Sequence, residues 1–139
     1  MLTFVNDVAE YLFTVFNAVI EILIDFGEAL IRGLRWIFIR IIKFLENIVD
    51  YFRQLAGKYE QEPDIVGFSY LIDQEMQAGN VTVIKGIMKN PNAKGAIVKG
   101  VYDKKKKTVL NEDIEVNEFE ELDEDTAKQF GDNHLLIIE

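Results

Sequence analysis

The chain has no cysteine. That excludes disulfides, thiolate metal sites and a thiol nucleophile, and it fits a reducing compartment. There is one histidine, His134, and one serine, Ser69. A Ser–His–acid arrangement would have to use that pair, and zinc has no histidine cluster to draw on. Proline is missing from Met1 through Glu62; only Pro63 and Pro91 occur. Basic charge is scarce: 15 Lys and Arg against 24 Asp and Glu leave a net −9, opposite to the footprint of a nucleic-acid binder. Long charge-free runs are absent too. The longest, Tyr11 to Ile20, falls well short of the ~20 residues of a simple transmembrane span. No basic stretch precedes the first apolar run, so the start does not read as a secretory signal.

What is present is unevenly distributed. Residues 1–58 are greasy and nearly neutral, at net −1, whereas residues 59–139 carry −8. The composition changes near Gly57, ahead of the polar stretch Lys58-Tyr59-Glu60-Gln61-Glu62-Pro63-Asp64. Three segments are expected: 1–58, a hydrophobic helical segment for membrane contact or oligomerisation; 59–80, a linker with a short helix; and 81–139, a small acidic β-rich domain. The corresponding fold class is α+β. It has a long N-terminal amphipathic helix or helical hairpin with a narrow charged stripe, followed by a small, mostly antiparallel β domain, for which a barrel is one form.

The stripe is the reason for expecting helix over 3–56. Asp7, Glu10, Thr14, Asn17, Glu21, Asp25, Glu28, Arg32, Arg35, Arg40, Lys43, Glu46, Asp50 and Arg53 recur about every 3.5 residues, the period of a helix seam. Nearly everything between them is apolar, as in Trp36-Ile37-Phe38-Ile39 and Ile41-Ile42. An ordinary surface helix has a broad polar face; here the polar arc is narrow, so the apolar sides require lipid or partner chains. The charge order is acidic first (Asp7, Glu10, Glu21, Asp25, Glu28), then basic (Arg32, Arg35, Arg40, Lys43, with Arg53 beyond). Folding the segment about residue 30, with Gly27 and Gly33 as hinges, or pairing two copies antiparallel as in a coiled coil, brings opposite charges together. Asp25 then faces Arg35, Glu21 faces Arg40 and Asp7 faces Arg53, while Glu10 meets Asp50 unfavourably.

Three arrangements satisfy the requirement: a membrane-inserted oligomer or hairpin whose stripe lines a pore or seam, a soluble helical oligomer, and an interfacial helix. The last usually carries a strongly charged, often Lys/Arg-rich polar face, unlike this half-acidic one. Arg53 and Lys58 after the greasy segment place the C-terminal part in the cytoplasm by the positive-inside tendency.

In the rest of the chain, residues 64–78 read as a short helix ended by Gly79-Asn80. Val81–Met88 and Ala96–Tyr102 read as strands with turn chemistry between them. Asp103–Lys107 is a polar tip before a returning Thr108-Val109-Leu110. Residues 113–119 alternate, with Ile114, Val116 and Phe119 expected on nearly one face. Asp123–Phe130 suits a helix with an acidic first turn, ended by Gly131, and His134–Ile138 a final strand. There is no internal repeat.

Candidate chemistry is sparse. Gly95-Ala96-Ile97-Val98-Lys99-Gly100 lacks the Lys and Ser/Thr that a phosphate loop needs next. The acidic run from Glu112 to Asp125 lacks the calcium-loop pattern. Lys104, Lys105, Lys106 and Lys107 are candidates for contact with anionic lipid, at ~1 kcal/mol each near a surface. No catalytic residue, cofactor or metal is expected. The sequence therefore reads as a non-enzymatic, membrane-associated, self-assembling protein, with pore formation or membrane perturbation in view and a soluble head for regulation or partner binding. The alternative is a soluble assembly component. The partners implied are further copies of the chain, a membrane, or another protein.

Overall fold

A run such as Trp36-Ile37-Phe38-Ile39 is rich in β-branched and aromatic side chains and suits a strand covered on both faces as well as it suits a helix. The computed structural model makes it a strand. It describes residues 4–5, 15, 17, 35–73, 89–110, 112–131 and 134–139. In chain order the strands are β1 (Phe4–Val5), β2 (Arg35–Ile42), β3 (Ile65–Asp73), β4 (Gly95–Asp103), β5 (Thr108–Val109), β6 (Glu115–Leu122) and β7 (Leu135–Ile138). A π-type turn, Phe44–Val49, leads into helix α1 (Asp50–Ala56), and α2 spans Glu124–Phe130.

This overturns the long N-terminal helix. Strands at Phe4–Val5 and Arg35–Ile42 interrupt it, and the longest helical stretch among the described residues is Phe44–Ala56. The helical hairpin and the coiled coil fall with it. The helical period was carried by sparse charges, and a short apolar run does not discriminate helix from buried strand by periodicity. No helix among the described residues is long and apolar enough to cross a membrane.

The seven strands form one sheet, ordered β1-β7-β3-β4-β6-β2, with β5 on β4. Among the described residues it is open, with β1 and β2 at its two ends. It is mixed: β2 runs parallel to β6, and every other pair is antiparallel. β2 lies within 1–58 and β3 within 59–80, and both belong to this sheet. Residues 65–73, expected to be helical, are the longest-paired strand: every residue of β3 has a partner in β4. Val66, Phe68, Tyr70 and Ile72 alternate along one face of it. The strand expected at 81–88 lies outside the described residues.

Apolar side chains are buried on both faces. One face collects Val66, Phe68, Tyr70, Val98, Val116 and Ile137, with Val15 packed among them. The other collects Ile97, Leu71, Phe119 and Leu136 beneath Phe44, Ile48, Phe52 of the helical stretch and Phe130 of α2. Phe119 thus sits on the opposite face from Ile114 and Val116. Three residues from Val116 is an odd step, and odd steps cross a sheet.

Phenylalanine rings fill the space left by glycines in the sheet. Phe68 is paired with Gly100 across β3 and β4, and a Cβ at Gly100 would lie 2.9 Å from its ring. A Cβ at Gly67 would lie 2.6 Å from the Phe52 ring. This glycine lets α1 approach β3.

α2 begins where the Asp123 side chain accepts from the Thr126 backbone amide at 2.8 Å and from the Thr126 hydroxyl at 2.5 Å. These bonds hold the Asp123 carboxyl below its ordinary value. Gly131 ends the helix at φ +55, a conformation that favours glycine.

Candidate interaction surface

β2 is eight residues long and pairs along one side with β6. Among the described residues nothing pairs with its other side. An edge strand presents a row of free backbone N–H and C=O groups, which proteins usually guard with short strands, charged side chains (lysine above all), proline or bulges. At the opposite end of the sheet, β1 has two residues among those described. β2 has neither lysine nor proline. Its Trp36, Ile37, Phe38, Ile39 and Ile41 are all partly exposed, while Arg35 and Arg40 are exposed. Leu45, three residues beyond the strand, is 67% exposed.

The strand is anchored from one face by Glu118, buried on neighbouring β6. Its carboxylate accepts from the Trp36 indole at 2.6 Å and from the Lys89 and Asn90 amides at 2.9 and 3.2 Å. The Lys89 ammonium also lies 5.0 Å from the centre of the Trp36 ring. Trp36 is thereby held against the sheet, and the loop at residues 89–90 is held over it.

On the other face a polar row crosses four strands. Register places Ser69 opposite Lys99, Lys99 opposite Glu115, and Glu115 opposite Arg35. Lys99 is 2% exposed. Its ammonium donates to the Asn47 carbonyl at 2.5 Å, lies 3.5 Å from Glu115 and sits 4.6 Å from the centre of the Tyr51 ring. A side chain inserted at a helix carbonyl accompanies irregular turns, and Asn47 lies within the π-type turn. Burial lowers the Lys99 pKa, with Glu115 opposing and Arg35 assisting. Asn117 donates to Glu115 at 3.3 Å, while Ser69 Oγ and Asn117 Oδ1 have no hydrogen-bond partner among the described residues.

Tyr51 continues the network outward by donating to the Asp113 carbonyl. Burial pushes its phenol up, with Glu115 and Asp113 adding to the effect. The Asp113 carboxylate receives Tyr59 at 3.0 Å and Lys58 at 2.7 Å. The network fastens the helical stretch to β4 and β6. A cleft of about 200 Å³ lies nearby, between α1 and β3, lined by Phe52, Leu55, Tyr59, Ile65, Val101 and Ile138 among others. Lys99 and Glu115 do not line it.

Of the residues singled out from sequence, Asp7, Glu10, Glu21, Asp25, Glu28 and Arg32, with the hinge glycines Gly27 and Gly33, lie outside the described residues. Arg35 and Arg40 stand on β2, five residues apart and so on opposite faces. Lys43 is exposed ahead of the π-type turn, and Arg53 on α1 pairs with Asp50 at 3.3 Å in the open, a contact of little energetic weight. Lys104 to Lys107 form the β4–β5 turn. The Asp103 carboxylate accepts from the Lys105 and Lys106 amides at 2.9 and 3.0 Å, and Lys105, Lys106 and Lys107 are exposed. No group of residues fit to hold a metal occurs among the described residues. Sequence reasoning finds neither the edge position of β2 nor the buried Lys99–Glu115 pair. The edge has a sequence signal, a β-branched and aromatic run of strand length; the ion pair has none.

Compared with known protein families, with curated proteins and with solved structures, the chain matches none.

Proposed function

We propose that the chain is a non-enzymatic, self-assembling protein that associates with membranes. Its self-association surface is the outer edge of β2, and its acidic sheet body serves as a partner-binding head on the cytoplasmic side. One observation carries the reading: an eight-residue, mostly apolar edge strand, whose only charges are Arg35 and Arg40 and which has neither lysine nor proline, has an unpaired side among the described residues. Such an edge recruits another strand, because main-chain hydrogen bonds and apolar contacts are both left to be made. Membrane association is supported by the greasy, nearly neutral front of the chain and by the exposed lysines of the β4–β5 turn, which suit anionic headgroups.

Sedimentation equilibrium of the full chain in plain buffer, with flotation on vesicles with and without anionic lipid, tests both halves. The expected result is an oligomer that floats with vesicles and floats better when they are anionic. An oligomer that ignores vesicles removes the membrane half and leaves a soluble assembly component. A monomer that ignores them overturns the reading.

A further inference from the structure

We infer that the strand received by β2 is the β2 of a second copy, antiparallel, on a two-fold axis level with Phe38. The inference rests on the self-assembly reading and specifies its partner and register.

Two edges that join about a two-fold axis perpendicular to the sheet keep their faces continuous. Directly opposed residues must then lie on the same face, which restricts the axis to the level of a residue rather than between two. The centres that pair most of β2 with β2 run from Ile37 to Arg40. A centre at Ile37 pairs only 35–39 and leaves Arg40, Ile41 and Ile42 without a partner in the strand. A centre at Arg40 pairs only 38–42 and sets Arg40 against its own copy. A centre at Ile39 pairs 36–42 but sets Arg35 against Lys43. Like charges directly opposed destabilise a ladder, which counts against the last two. A centre at Phe38 pairs all of 35–41 without any like-charge pair. Phe38 then meets Phe38, Ile37 meets Ile39, Arg35 meets Ile41, and Arg40 meets Trp36.

The last contact is the complementary one. Arg40 is exposed on the strand and comes beside the partly exposed Trp36 of the other copy, whose ring is held by the Glu118 carboxylate and approached by Lys89 at 5.0 Å from its centre. A guanidinium beside an indole is an attractive pairing, and the two-fold axis makes it twice.

The absence of cysteine makes the register directly readable in the full chain. Opposed Cα atoms in an antiparallel pair lie ~4.5–5.5 Å apart, within the ~4.4–6.8 Å range of a disulfide. Phe38→Cys is therefore expected to give a linked dimer of twice the 16.0 kDa chain mass under mild copper-phenanthroline oxidation. In Ile41→Cys the two sulfurs are six residues out of step, ~20 Å, so linking is expected to be at least about tenfold slower. The double variant Trp36→Cys/Arg40→Cys reads the same register without touching Phe38 and is expected to link as well.

If the unmodified chain sediments as a monomer, both the self-assembly reading and this inference fail, and a strand from another protein becomes the occupant to seek. If it sediments as an oligomer but Phe38→Cys links no faster than Ile41→Cys, the register is overturned while self-assembly stands. If Phe38→Cys loses its circular dichroism spectrum, the double variant decides, and its failure to link overturns the register.

Discussion

Lys99 and Glu115 face each other across the β4–β6 ladder, 3.5 Å apart at their charged atoms, beneath the carbonyl of Asn47. Both side chains are almost wholly removed from water, at 2% and 11% exposure. A buried pair of this kind is poor evidence for net stability, because two desolvation costs oppose one attraction. It is strong evidence that neither partner tolerates the loss of the other.

Glu115→Leu and Lys99→Met are each expected to destabilise the fold by about 3–5 kcal/mol, since each leaves a buried charge unmatched. The double variant Lys99→Met/Glu115→Leu is expected to recover most of that loss. Urea denaturation of the four proteins, read as a double-mutant cycle, checks this. Additive losses would show that the two side chains do not act as a pair.

Tyr70 is buried among apolar side chains, and burial pushes its phenol from 10.0 up to about 12. A raised folded-state pKa contributes stability that is fully present below the unfolded value and is lost as pH rises through the folded one. Stability tied to Tyr70 should therefore fall between pH 10 and about 12, by on the order of 2–3 kcal/mol. Tyr51 acts in the same direction, and Lys99, whose pKa is lowered, acts against it. The comparison of interest is thus between variants: Tyr70→Phe should show a shallower alkaline loss than the parent in denaturant titrations at stepped pH. Parallel curves would contradict the assignment.

Gly67→Ala places a methyl 2.6 Å from the Phe52 ring. α1 must shift away from β3, and overpacking of this kind costs about 1–3 kcal/mol. Adding Phe52→Leu to Gly67→Ala should restore part of the loss. The urea midpoint reports both, and a neutral Gly67→Ala would show that α1 does not rest on that glycine.

Asp123→Ala removes the cap of α2 and is expected to cost about 1 kcal/mol, whereas Asp123→Asn should cost less because the amide oxygen still accepts. The Asp123 carboxyl is held below its ordinary 3.8 by the Thr126 bonds. Its contribution is present above that value and lost as pH falls through the lowered one. Asp123→Ala should therefore differ most from the parent near neutrality and least in strong acid, as followed by helical circular dichroism on denaturant titration.

Several elements are legible because their signals are local. α2 follows from a capping aspartate, an acidic first turn and a stopping glycine, all within nine residues. The β4–β5 hairpin follows from a β-branched run meeting a charged tip whose Asp103 side chain ties its own turn. β3 has a local signal too, the alternation of Val66, Phe68, Tyr70 and Ile72, yet the same window with its stopping Gly79 also passes for a short helix. In β2 the local signal is ambiguous. Eight residues of mostly apolar character fit either element, and what decides is a parallel partner about 80 residues away, which no window on the chain reveals.

From the sequence alone came an acidic chain with a greasy front, no cysteine and a single histidine, because composition is enough for those conclusions. Only the tertiary structure decided that residues 35–42 extend along the rim of a sheet. It also decided that Arg35 and Arg40 part to opposite faces, and that Lys99 and Glu115, which look like ordinary outward positions of two strands, are sealed under a helix. The reason is physical: a strand's side chains acquire an inside and an outside only when neighbouring strands fix its register and another layer covers one of its faces.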